Sequence, residues 1–124
     1  MGSSIAPAKI TDRTFELALE IVDVCQMLDS TPGVRRVLGR QLLRSGTSIG
    51  ANVEEAQAGQ SRADFVSKCS IALKECRETI YWLRLLEARK LAETDNLERL
   101  KIEADEIRRI LSTIVVRTKQ RKVV

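Results

Sequence analysis

Taken at about 100° per residue, the apolar positions of this chain fall into four helical segments with short polar breaks between them. The first runs from about Asp12 to Leu28, with Thr11 as its candidate N-cap and Thr31-Pro32-Gly33 as the break. Its apolar residues make two stripes: Phe15, Leu19 and Val22 on one, Leu17, Ile21, Val24 and Leu28 on the other. Together they cover more than half the circumference, which predicts a helix with more than one neighbour. The second runs from about Val34 to Ala58, with Val34, Leu38, Gln41, Leu42, Ser45, Ile49, Asn52 and Ala56 as its inner face. Gly39, Gly46 and Gly50 each cost about 1 kcal/mol relative to Ala inside a helix. They fit a kink or a close helix–helix approach, and close approach is the expectation.

The third segment opens on Ser61-Arg62-Ala63-Asp64, a capping box with Asp in place of Glu, and runs to about Arg89. Phe65, Cys69, Ala72, Cys76, Ile80 and Leu83 form its core stripe, while the stretch Ile80 to Leu86 is apolar nearly all round. The fourth, capped by Thr94 or Asp95, reaches about Arg117. Its seam Leu100, Ala104, Ile107, Leu111, Ile114 alternates spacings of four and three. Short loops between long helices make neighbours antiparallel. The predicted fold is therefore all-α, an up-down-up-down four-helix bundle over 12–117. A flexible N-terminus at 1–11 and a basic C-terminal tail at 118–124 flank it.

One stripe per helix suffices for such a bundle, yet this chain carries more. Exposed apolar surface marks association. The expectation is a homo-oligomer with Leu17, Ile21, Val24, Leu28, Leu43, Trp82 and Leu85 at the interface.

Composition narrows the chemistry. At 124 residues the chain makes one domain with a core of its own. With no His, catalysis by Ser-His-Asp or Cys-His groups and His-ligated zinc are excluded. Three Cys with no Cys-x-x-Cys pair read as small buried hydrophobes in a reducing cytoplasm. No run of about 18 apolar residues and no signal-peptide pattern occurs, so no membrane is expected and the localisation is cytoplasmic. No cofactor is predicted.

The net charge of +4 is local. Arg117, Lys119, Arg121 and Lys122 crowd the last eight residues, and removing these four leaves 17 basic against 17 acidic groups. Arg35, Arg36, Arg40 and Arg44 lie in a second stretch, Gly33 to Ala51, that has no carboxylate.

Two stretches of this chain are familiar. Arg44-Ser45-Gly46-Thr47-Ser48-Ile49-Gly50-Ala51-Asn52-Val53-Glu54-Glu55-Ala56 is one; Asp64-Phe65, Ser70 to Glu75 and Arg77 to Leu86 make up the other. Over roughly Phe15 to Leu111 the chain resembles the small bacterial four-helix bundle proteins encoded in intervening sequences of large-subunit ribosomal RNA genes. That family is similar in fold to the accessory protein of diversity-generating retroelements, a basic pentamer that binds nucleic acid and a reverse transcriptase. The resemblance implies a four-helix bundle and favours a pentamer. Ala56 stands where the family's Asn-x-x-Glu-Gly motif ends in Gly, which extends the second helix slightly.

Arg36, Arg40 and Arg44 recur every four residues along about 12 Å of one helix edge. Such a strip fits a phosphate backbone, each contact releasing counterions. It equally fits a solvated flank, or pairing with acids such as Glu54 or Glu78 of a neighbouring subunit. The tail cations Arg117, Lys119, Arg121 and Lys122 are the second candidate for nucleic-acid contact, and neither stretch carries an aromatic to stack on bases. Ser45, Ser48 and Asn52 are expected to tie the second helix to its neighbours. Glu75-x-x-Glu78 and Glu103-x-x-Glu106 resemble the Mg²⁺ ligands of all-α nucleotide pyrophosphohydrolases. Glu replaces the usual last Asp, however, and helical angles turn Glu106 far from its seam. The functional expectation is a non-enzymatic homo-oligomeric scaffold associating non-specifically with RNA or DNA. The alternative is a protein-interaction adaptor without nucleic-acid binding.

Overall fold

The computed structural model describes residues 9–121. Four helices follow in order: α1 (Ile10–Asp29), α2 (Val34–Gln57), α3 (Arg62–Ala88) and α4 (Thr94–Arg121). Each packs on the next, and α1 closes the bundle against α4 more sparsely than it meets α2. That leaves α1 diagonal to α3 and α2 diagonal to α4. The core is one aliphatic cluster along the axis, with Leu17, Ile21, Leu42, Ile49, Leu83, Leu100, Ile107 and Leu111 at its centre. A smaller cluster of Ala56, Cys69 and Val115 closes one end.

The three glycines of α2 line its contact with α1. A Cβ added at Gly46 would stand 2.5 Å from Ile21 Cδ1 and 3.0 Å from Ile21 Cγ2. At Gly39 it would meet Leu28 Cβ at 3.0 Å, and at Gly50 Thr14 Oγ1 at 3.3 Å. The glycines therefore serve close approach, as the sequence implies, and α2 runs unbroken through all three. Cys25 fits the same seam, its Sγ donating to the Gly39 carbonyl at 3.1 Å.

The caps explain the helix ends. Ser61 Oγ accepts from the Asp64 N–H at 3.1 Å and starts α3. The end of α3 is a Schellman motif around Lys90, whose φ is 55°. The Leu91 N–H donates to the Leu86 carbonyl and the Lys90 N–H to that of Glu87. Arg35 Nε donates to the Leu91 carbonyl at 3.0 Å, tying the start of α2 to this turn. Gly33, at φ 102°, makes the α1–α2 turn in a backbone region that other residues enter only with strain.

Several expectations need correction. Leu17, Ile21, Val24 and Leu28, expected at an association surface, are buried in the subunit's own core. The stripe left outside is the other one: Phe15 is 59% exposed and Leu19 45%. Periodicity showed two stripes and could not say which faced in; the glycines of α2 decide it by drawing Ile21 and Leu28 inward. α1 starts at Ile10, with Lys9 at the N-cap, so Thr11 lies inside the first turn and caps nothing. Val34 is exposed and Val53 takes a core position on α2. α4 continues past Arg117 to Arg121, because no Pro or Gly interrupts it.

Two outcomes follow from this packing. Gly46→Ala should lower stability in urea by about 1–3 kcal/mol through overpacking, although propensity alone would raise it by about 1. A midpoint that holds or rises contradicts the close-approach reading. Burial pushes the Cys25 and Cys76 thiols up to about 12 and raises that of Cys69 as well. At pH 8 the folded protein should leave a thiol reagent almost unconsumed and titrate all three after unfolding. Rapid modification of the native state refutes that.

Candidate functional site

The carboxylate pairs that invited a metal reading each grip an arginine from the neighbouring helix. Arg13 of α1 donates Nε to Glu103 Oε2 at 3.0 Å and one terminal nitrogen to Glu103 Oε1 at 2.7 Å. The same nitrogen reaches Glu106 Oε1 at 2.8 Å. These bonds, Glu103 first, raise the Arg13 pKa above its ordinary value. On the other side of the bundle Arg44 of α2 pairs with Glu75 at 3.4 Å and with Glu78 of α3. Glu78 also accepts from the indole N–H of Trp82 at 3.0 Å. Carboxylates three residues apart share a helix face, so each pair forms a fork wide enough for one guanidinium. Helical angle alone had turned Glu106 away from the seam, but a side chain as long as Arg13 spans that distance. Among the described residues no group of three or more Cys, Asp and Glu is arranged to hold a metal ion.

The arginine strip of α2 is taken up in the same way. Arg36 and Arg40 both lie on Asp29, at 3.7 and 3.3 Å, and Arg36 Nε also donates to the Asp29 carbonyl at the end of α1. Arg36, Arg40 and Arg44 thus face acids of their own subunit, and a phosphate backbone would compete with Asp29, Glu75 and Glu78 for them. Arg117 and Lys119 are exposed near the end of α4; Lys122 and the side chain of Arg121 lie outside the described residues.

Of the small polar residues of α2, Ser45 reaches a neighbouring helix while Ser48 and Asn52 bond within α2. The Thr79 hydroxyl bonds that of Ser45 at 3.0 Å across the buried α2–α3 seam. Asn52, expected to reach a neighbouring helix, instead donates to the Ser48 carbonyl at 2.9 Å and to its hydroxyl at 3.2 Å, within α2. Among the described residues every buried side-chain polar atom has a hydrogen-bond partner. Between α1 and α4 runs an open groove of about 420 Å³, lined by Glu16, Glu20, Glu98, Arg99 and Glu103 among others, where Arg99 is bound to Glu20.

Several apolar side chains remain outside the core. Phe15, Leu19, Leu43 and Tyr81 are exposed, and Val22, Trp82 and Leu85 are half-buried. Tyr81 and Trp82 stack edge to face with centroids 5.3 Å apart. Leu43, Trp82 and Leu85 thus keep surface available, whereas the expected stripe of α1 does not.

A family model described as 23S rRNA-intervening sequence protein matches residues 7–113. The chain is also similar to a solved crystal structure from Bacteroides thetaiotaomicron VPI-5482, a protein with unknown function from the S23 ribosomal protein family. The two share 40% identity over 86% of this chain and 98% of that one, with a TM-score of 0.79. No curated protein matches.

The Arg13 fork carries a measurable consequence. A double-mutant cycle of Arg13→Ala and Glu103→Ala should give a coupling of about 0.5–1 kcal/mol that shrinks with added salt. A coupling of zero at low salt would make the fork a geometric accident.

Proposed function

The chain belongs to the 23S rRNA-intervening sequence protein family, and on that premise we propose that it is a non-enzymatic helical scaffold that assembles from copies of itself. The observation that carries this reading is the set of apolar side chains left outside once the core is complete, among them Phe15, Leu19 and Leu43 on the α1–α2 side and Tyr81, with half-buried Trp82 and Leu85, on α3. Large exposed apolar patches on a folded domain mark contact with another protein. The resemblance to the family favours five copies in a ring. The carboxylates that could have held Mg²⁺ are engaged by Arg13 and Arg44, which supports a scaffold over a hydrolase. No helix among the described residues is long and apolar enough to cross a membrane, in keeping with work in the cytoplasm.

The scaffold associates with RNA or DNA non-specifically, through its cations. Arg117 and Lys119, exposed near the end of α4 without a carboxylate partner among the described residues, lead in this role, and Arg121 and Lys122 add to it. Arg36, Arg40 and Arg44 contribute where phosphate displaces Asp29, Glu75 and Glu78.

Light scattering at micromolar concentration tests assembly. The wild type should give a multiple of 13.9 kDa, and Leu19→Glu combined with Leu43→Glu should reduce it toward one subunit. A monomeric wild type refutes the scaffold. A fluorescent RNA should shift at low salt and be released as salt rises. No shift at low salt leaves the adaptor reading, in which the same apolar surface recruits a protein.

A further inference from the structure

Salt bridges sort the charges of this bundle unevenly, and what is left over segregates by helix. On α1, Arg13 is held by Glu103 and Glu106, Glu20 pairs with Arg99, and Asp29 takes Arg36 and Arg40. That leaves Asp12, Glu16 and Asp23 exposed, with no ion-pair partner among the described residues. On α3 three carboxylates are occupied, Glu75 and Glu78 by Arg44 and Glu87 by Lys101 at 2.6 Å, Lys68 is held by Glu55 at 2.8 Å, and Asp64 stands apart at the helix start. Lys74, Arg77 and Arg84 are left exposed without a carboxylate partner among the described residues. Asp105 of α4 is engaged by Arg108 and Arg109 at 2.9 and 3.1 Å.

The two sets match in form. Asp12, Glu16, Leu19 and Asp23 follow spacings of four, three and four, one exposed line about 16 Å long on α1. Lys74, Arg77, Tyr81 and Arg84 follow spacings of three, four and three, a line about 15 Å long on α3. Each has an exposed apolar residue within it, Leu19 flanked by Phe15 on one and Tyr81 on the other. Because α1 and α3 stand on the diagonal of the bundle, the lines face opposite ways and cannot meet within one subunit.

We infer that the outer face of α1 in one copy docks on the outer face of α3 in the next, acids on cations and Leu19 and Phe15 against Tyr81. This rests on the self-association proposed above and specifies its geometry. Two different, complementary faces make a heterologous contact, which propagates head to tail and forms a ring where the rotation between copies closes. A two-fold dimer would lay like charge on like charge, which such spacing penalises.

Charge exchange tests it. One variant carries Lys74→Glu, Arg77→Glu and Arg84→Glu; a second carries Asp12→Lys, Glu16→Lys and Asp23→Lys; a third carries all six. With helicity checked by circular dichroism, masses are compared by light scattering at low salt. Each triple variant should fall to the mass of one subunit. The six-fold exchange should restore the wild-type mass, and an equimolar mixture of the two triples should assemble where neither does alone. A triple variant that keeps the wild-type mass, or a folded six-fold exchange that stays monomeric, overturns these faces while self-association stands. A monomeric wild type overturns both. If the α3 triple keeps its mass and loses the low-salt shift of a single-stranded RNA, the strip is a nucleic-acid site instead.

Discussion

The distance between α1 and α2 sets much else in this molecule. Gly39, Gly46 and Gly50 remove the Cβ atoms that would hold the helices apart, and Leu28, Ile21 and Thr14 settle against the bare backbone. That approach turns one stripe of α1 inward and commits the other to the outside. Helix propensity opposes three glycines in one helix, and packing outweighs it. The hydroxyl of Thr14, buried by the same approach, is satisfied by the Ile10 carbonyl at 2.9 Å. The seam is thus tight without leaving a polar group unpaired.

Elsewhere the ends of the helices are fixed by short-range chemistry and the open side by charge. The α1–α4 side, where backbone packing is sparse, is bridged by Arg13 to Glu103 and Glu106 and by Arg99 to Glu20. Such half-exposed pairs contribute modestly to stability. Their larger effect is on the surface: each removes one cation and one or two acids from what a partner can meet. A body that is neutral by count becomes acidic on one outer helix and basic on the diagonal one.

Much of the fold was legible in the sequence because it depends on local rules. The 3.6-residue period, the Ser61 cap, the Thr31-Pro32-Gly33 break and the fourth-helix seam each act over a few residues. The orientation of α1 was not legible in this way. Leu17 and Leu19 are equally apolar, and only a neighbour without side chains at Gly46 shows which of them the core receives. The α2 arginines were visible as a strip, but their partners Asp29, Glu75 and Glu78 are brought to them by tertiary structure. Along α3, cations and acids alternate in sequence and so read as an ordinary solvated face. Around the helix they separate, and only the pairing of Glu75, Glu78 and Glu87 exposes the difference.

Zero-length carbodiimide coupling of a mixture of isotopically light and heavy subunits addresses the docking of copies most directly, since it joins only a carboxylate and a lysine already in contact. Peptides bearing Lys74 should be found joined to peptides bearing Asp12, Glu16 or Asp23, in mixed light–heavy form. If Lys74 yields no mixed pair while Glu87 and Lys101 couple readily within one subunit, the faces assigned to assembly are not in contact and the account of the surface fails.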